Sequence, residues 1–288
     1  MTTRTSISFA TNAMATRFEL VLSGDDPTRL RGIGEEALGE IERLDRQLSF
    51  YRPESDVSWI NAHAAHEPVK VEPRLFRLLV LCRESNLKTD GAFDITIAPL
   101  MRDWGFVGGK GRMADPAEIE AARKVVGMGH VRLDEEDFTV RFDREGVAID
   151  LGAIGKGYAI EQAAGILLEN GIRSGLLHGG TSTVYAIGTQ PDGRPWTIGL
   201  AEPLSGSIDL QDSCLSISAV HGKSFTKDGV EFGHVLDPRT GQPIQGARAA
   251  AVIGPSATIC DVLSTALLVL GKQALKEFPD YHGIVADI

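Results

Sequence analysis

Hydrophobic and polar residues alternate from Ser6 to Leu22, a period of two that predicts one or two strands, firmest over Phe18-Glu-Leu-Val-Leu22. Beyond Asp25-Asp-Pro27 the period changes. Leu30, Ile33, Ala37, Leu38, Ile41, Leu44 and Leu48 recur at helical spacing, which predicts a helix with one buried face and Pro27 in its first turn. Ser49 to Asn61 is polar with aromatic residues interspersed and reads as a loop. A second helix begins near Glu72-Pro73, carrying Leu75, Leu78, Leu79 and Cys82 on one side, and a third runs from Asp115-Pro116 through Val126. Short strands are expected from Val131 to Asp150, divided by the acidic turn Asp134-Glu-Glu-Asp137. Gly155 to Asn170 reads as a helix stopped by Gly171. Strand-like runs follow at Gly175–Leu177, Thr183–Ile187, Trp196–Leu200, Ser207–Leu210 and Cys214–Ser218. Ser256 to Leu270 forms a last helix before Gly271, and Gly283–Asp287 a closing strand.

Strands and helices mixed in this way, without strict β-α alternation, favour an α+β fold over a doubly wound sheet. No Pro/Ser-rich linker or low-complexity tract marks a boundary, so residues 1–288 are expected to form a single domain or two interlocked halves. A net charge of −10 argues against a nucleic-acid surface, which needs a basic stripe. Cys82, Cys214 and Cys260 are far apart with no C-x-x-C, so neither a zinc site nor a disulfide framework is signalled. Met1 to Ala13 lacks an apolar leader core and no segment is read as reaching the length of a membrane span, so no membrane insertion and a cytoplasmic location are expected.

Several segments have the makings of a chemical site. Asp261-Val-Leu-Ser-Thr265 puts a carboxylate and a hydroxyl one turn apart on an apolar helix. Asp150-Leu-Gly-Ala-Ile-Gly-Lys-Gly157 offers tight backbone, a lysine and a second carboxylate. Oxygen ligands with few competing nitrogens or thiols suit a hard cation such as Mg²⁺, and a hard cation beside lysine and glycine backbone could hold a diphosphate. The glycine segment is neither a Walker loop nor a dinucleotide fingerprint, because Lys156 is followed by Gly157 and Ile160 stands at the third glycine position. It reads as a strand ending at Asp150, a turn, and a helix N-terminus whose N–H groups suit anions, or, as the segment taken alone favours, as an ordinary strand-to-helix turn with a surface lysine. The Asp261 and Thr265 pair is open to a second explanation too, a dipole-favoured carboxylate and a threonine bonding the i−4 carbonyl.

His234-Val-Leu-Asp-Pro-Arg-Thr-Gly241 places a histidine ahead of an acidic turn that could hold it as a base, or leave it a solvated loop residue. Thr89-Asp-Gly-Ala-Phe-Asp94 is a turn delivering the Asp94 carboxylate, and Ser49-Phe-Tyr51 an aromatic face able to stack on a flat ring, although either could be core packing. His63 and His66 read as solvated surface.

In sequence order these pieces resemble the ApbE family of FAD:protein FMN transferases. The similarity rests on Met14-Ala-Thr16, Leu48-Ser-Phe-Tyr51 through Asn61, Gly91-Ala-Phe-Asp94, Asp150 through Tyr158, His234 through Gly241, and Asp261-x-x-x-Thr265. The resemblance implies a T-fold-like α+β architecture of two related halves with FAD between them. It implies a Mg²⁺-dependent enzyme that splits FAD, attaches FMN through a phosphoester to a threonine or serine of a target protein, and releases AMP. FAD contacts would be Met14, Tyr51, Ala92, Phe93, Asp94, Asp150, Lys156 and His234, and metal ligands the carbonyl of Ala153 and the side chains of Asp261 and Thr265. His234 and Asp261 would be catalytic, His234 helping to deprotonate the incoming hydroxyl. A Mg²⁺-dependent FAD pyrophosphatase and a non-catalytic flavin-binding protein are the alternatives. The chain departs from the family pattern at Ala15, where glycine is usual, and across Leu177-His-Gly-Gly-Thr-Ser-Thr183.

Overall fold

In the computed structural model, which describes residues 5–220 and 224–287, a seven-stranded antiparallel sheet forms the frame. Its order is Thr5–Ala13, Thr16–Gly24, Ser174–Gly179, Thr183–Gly188, Ser213–Ala219, Ala247–Gly254 and His282–Asp287. The alternation at the N-terminus has its cause here: Phe18, Leu20 and Leu22 are fully buried on one face of the second strand. Mixed helices and antiparallel strands make the fold α+β, as expected.

Three helices cover one face of the sheet: Pro27–Leu48, Gly155–Glu169 and Ala257–Leu270. The first is capped by Asp26, whose carboxylate accepts from the backbone N–H groups of Thr28 and Arg29, both at 3.0 Å. Its buried stripe contains all seven apolar residues read from the sequence, and each such Leu or Ile contributes roughly 1.5–3 kcal/mol of burial. Gly34 lets this helix settle on the first strand, since a Cβ there would lie 2.6 Å from the Phe9 ring. The opposite face of the sheet is covered in part by the ribbon Trp196–Gly199 and Ser207–Leu210, whose Trp196 and Leu210 pack with Val184, Ala186, Leu215 and Ala251.

Residues 56–150 build a second, smaller body of structure on this frame. Val69–Lys70, Thr139–Phe142 and Val131–Asp134 form a three-stranded sheet against helix Pro73–Lys88. A separate apolar cluster of Leu100, Trp104, Phe106, Ile119 and Leu236 holds the hairpin Ser224–Lys227 and Val230–Gly233 through Phe225 and Phe232.

Four expectations are corrected. Ser49 to Asn61 is not all loop: Asp56–His63 is a helix capped by Ser55, with only Val57 and Ile60 buried, too few to show a period. The segment before Asp150 is irregular rather than a strand, anchored by the Asp150 N–H donating to the Ile95 carbonyl at 2.7 Å. The third helix stops at Arg123 rather than Val126. The stretch Ala257–Leu275 does reach the length and apolarity of a membrane span, although more than half of it is buried within the fold. Strand Ala247–Gly254 went unread because its run of alanines carries no alternation.

Candidate active site

A cavity of about 820 Å³ opens between the helix-covered edge of the sheet and the 49–52, 92–101, 150–156 and 234–238 segments. All eleven positions singled out in the sequence line it: Met14, Tyr51, Ala92, Phe93, Asp94, Asp150, Ala153, Lys156, His234, Asp261 and Thr265.

Asp261 and Thr265 lie one turn apart on helix Ala257–Leu270. That helix is started by Ser256 and by Glu161 of the neighbouring helix, whose carboxylate accepts from Ser256 Oγ at 2.7 Å and the Thr258 N–H at 2.8 Å. Asp261 is 3% exposed. Its Oδ2 accepts the Gly157 N–H at 2.9 Å and its Oδ1 accepts Ser216 Oγ at 2.9 Å. No lysine, arginine or histidine pairs with it among the described residues.

Gly157 explains how two remote segments meet. A Cβ on it would stand 2.3 Å from the Ala257 carbonyl oxygen and 2.7 Å from Asp261 Cβ, so only glycine permits this crossing of the two helices. Gly155, two residues earlier, has nothing within 4 Å of its Cβ position and faces the cavity. Lys156 between them is half-buried in the first helical turn.

Asp150 is set by its neighbours on both sides. The Asn61 amide accepts from the Ile149 N–H at 2.8 Å and donates to the Ile149 carbonyl at 2.9 Å, as a strand neighbour would. The Asp150 carboxylate accepts the Gly152 N–H at 2.8 Å.

Asp94 closes the turn begun at Thr89, where Asp90 and Gly91 take positive φ. Burial raises its carboxyl above the usual aspartate range, against the hydrogen bonds donated by Thr96, Met128 and Asn86. Tyr51 projects at the mouth, 60% exposed. Its hydroxyl is raised by partial burial and by the Asp150 charge. Met14 (φ 48°) and Ala15 (φ 57°) form the tight two-residue turn between the first two strands, held by the Met14 N–H donating to Asp45 Oδ1 at 2.7 Å. The other Asp45 oxygen receives Arg52 at 2.9 Å, tying that turn to the Tyr51 loop.

His234 follows the hairpin 224–233 and meets the Phe106 ring edge-on at 6.4 Å. In the acidic turn that follows, Asp237 accepts Arg239 Nε at 2.9 Å and Nη2 at 2.8 Å. Burial pushes the Asp237 carboxyl up, but its bonds from Arg239 outweigh that and hold it below the ordinary range. His63 stacks on Trp59 at 3.8 Å on the outside of helix Asp56–His63 and does not line the cavity.

Sequence reading gave no role to Asp45, Asn61, Ser216 or Ser218, although Asn61 closes one of the motifs that carry the family resemblance and the serines take alternate positions of a predicted strand.

Known proteins share this architecture. A FAD:protein FMN transferase of Vibrio cholerae is 30% identical over 243 residues, 81% of this chain and 72% of that protein. The crystal structure of the ApbE protein of Thermotoga maritima superposes with a TM-score of 0.90 at 31% identity, covering 98% of this chain and 94% of that one. The flavinyl transferase ApbE of Pseudomonas stutzeri, in its apo form, gives 0.88 at 30% identity over 99% and 92%. With residues 1–286 matching the ApbE family model, the chain belongs to the ApbE family.

Proposed function

We propose that this protein is a Mg²⁺-dependent FAD:protein FMN transferase, which cleaves FAD at its pyrophosphate, joins FMN through a phosphoester to a threonine or serine of an acceptor protein, and releases AMP. One observation carries the reading: positions scattered from Met14 to Thr265 converge on a single cavity, about 820 Å³, within the range that suits a ligand of this size. The names of the Vibrio and Pseudomonas relatives support the same chemistry.

The donor set fits a hard cation. A buried carboxylate without a cationic partner costs several kcal/mol, and a divalent ion offsets that cost. Asp261, Thr265 and the Ala153 carbonyl would hold it with one carboxylate, one hydroxyl and one carbonyl. This set lies outside the pattern of three or more His, Cys, Asp or Glu side chains, of which none occurs among the described residues. Bound there, Mg²⁺ supplies charge neutralisation on the phosphate oxygens.

The chain's own residues do the rest. Lys156 and the N–H groups opening helix Gly155–Glu169 bind the phosphates. Tyr51 and Phe93 border the flat ring while Met14 and Ala92 fix its edge, and Asp94 and Asp150 supply hydrogen-bond acceptors. His234 takes the proton of the incoming hydroxyl, a poor nucleophile at neutral pH without a base.

Incubation with FAD, Mg²⁺ and a candidate acceptor tests the reading by mass spectrometry. The expected product is an acceptor carrying one FMN on a threonine or serine. Free FMN and AMP alone would make water the acceptor, and unchanged FAD would refute the chemistry.

A further inference from the structure

Strand Ser213–Ala219 and helix Ala257–Leu270 meet along a polar seam beside the cavity. Ser216 and Ser218 share one face of the strand, about 6.7 Å apart, while Asp261 and Thr265 share one face of the helix, about 6 Å apart. The spacings match, and each serine meets one member of the helical pair. Ser216 Oγ lies 2.9 Å from Asp261 Oδ1, and Ser218 Oγ lies 3.2 Å from Thr265 Oγ1.

Ser264 Oγ lies 3.0 Å from the Asp261 main-chain carbonyl, which can only accept, and 2.7 Å from Ser218 Oγ. The one arrangement of hydroxyl protons that makes all three contacts at once runs from Thr265 through Ser218 and Ser264 to that carbonyl. In that arrangement Thr265 gives its proton to the strand and keeps its oxygen lone pairs for the cavity.

We infer that Ser218 is a positioning residue that orients the Thr265 hydroxyl as an oxygen donor to a divalent cation, while Ser216 fixes the rotamer of Asp261. This rests on the metal placement proposed above. A hydroxyl can ligate a cation only if its proton points away, and a wrongly rotated one would present that proton to the ion.

Mn²⁺ uptake by the full chain, followed by electron paramagnetic resonance, tests both ideas separately. Ser218→Ala should weaken Mn²⁺ binding by about 10- to 100-fold, whereas Ser218→Thr, which keeps one donor and its acceptors, should stay within a few-fold of wild type. The metal-free unfolding midpoint should be the same for the two variants, and with Ser218→Ala the Mg²⁺ needed for half-maximal transfer should rise while kcat at saturating Mg²⁺ recovers. Wild-type affinity in Ser218→Ala, or equal loss in Ser218→Thr, would overturn the inference while leaving the metal placement intact. Asp261→Ala separates the two: if wild type takes up no Mn²⁺, or Asp261→Ala binds as wild type does, both fall together.

Discussion

Gly155 and Gly157 are indistinguishable in the run Gly-Lys-Gly, yet alanine should have opposite effects at the two. At Gly157 the new Cβ would stand 2.3 Å from a carbonyl oxygen and 2.7 Å from Asp261 Cβ, contacts with backbone and a helix-rooted atom that no rotamer relieves. Helices Gly155–Glu169 and Ala257–Leu270 must separate by around 1 Å to restore ordinary contact near 3.4 Å. Overpacking of this kind costs about 1–3 kcal/mol, and weakening the 2.9 Å bond from Gly157 N–H to the Asp261 carboxylate adds about 1.5–3 kcal/mol. The sum is roughly 2.5–6 kcal/mol, which lowers the unfolding temperature by roughly 4–10 °C in a chain of this size. Gly155→Ala meets nothing within 4 Å and should leave stability unchanged or raise it by up to about 1 kcal/mol. Because Gly155 faces the cavity, that variant should bind FAD more weakly all the same. Thermal and urea unfolding of both variants, with FAD titration by fluorescence, gives the comparison. A Gly157→Ala protein as stable as wild type, or a Gly155→Ala protein less stable than it, would refute the helix-crossing argument.

Three further outcomes are expected. Asp261→Asn keeps the shape, with its carbonyl accepting from Gly157 and its amide donating to Ser216, so metal-free stability should hold or rise while transfer falls by more than about 100-fold; undiminished transfer at high Mg²⁺ would end the ligand assignment. His234→Ala should slow single-turnover transfer by roughly 10²–10⁴-fold with little change in FAD affinity, and parallel losses would make it a binding residue instead. Burial raises the Asp94 carboxyl in the folded state, so its contribution is most favourable below the ordinary aspartate range and is lost as pH rises through the raised value. Asp94→Asn should therefore gain stability relative to wild type as pH goes from about 4 to 7, measured by denaturant midpoints, and a constant difference would contradict the burial argument.

The elements with a strong period were legible from residue spacing. The helix over 27–48, the helix over 73–88 and the strand Thr16–Gly24 each bury the residues that their spacing marks. What failed to announce itself had a local reason. Helix Asp56–His63 has two buried residues, strand Ala247–Gly254 is mostly alanine, and hairpin 224–233 is held by aromatic contacts to Trp104 and Phe106, more than a hundred residues away. The residues that line the cavity were readable as types in order, from Met14 to Thr265, because motif spacing is a property of the chain itself. The roles of Asp45 and Asn61 were not, since a carboxylate on an amphipathic helix and an amide at a helix end look like ordinary solvated residues until Met14 and Ile149 are found against them.

Chain order and residue chemistry alone settled that this protein is α+β and carries an oxygen-rich pair one helical turn apart. Which of those groups share a wall was decided by tertiary contact: the crossing at Gly157 brings the 150–157 turn to Asp261, and the strand spacing of Ser216 and Ser218 meets the turn spacing of Asp261 and Thr265. The physical reason is range. Periodicity records which face of an element is buried, whereas a hydrogen bond between residues a hundred positions apart depends on the crossing of two helices, and no local pattern encodes that.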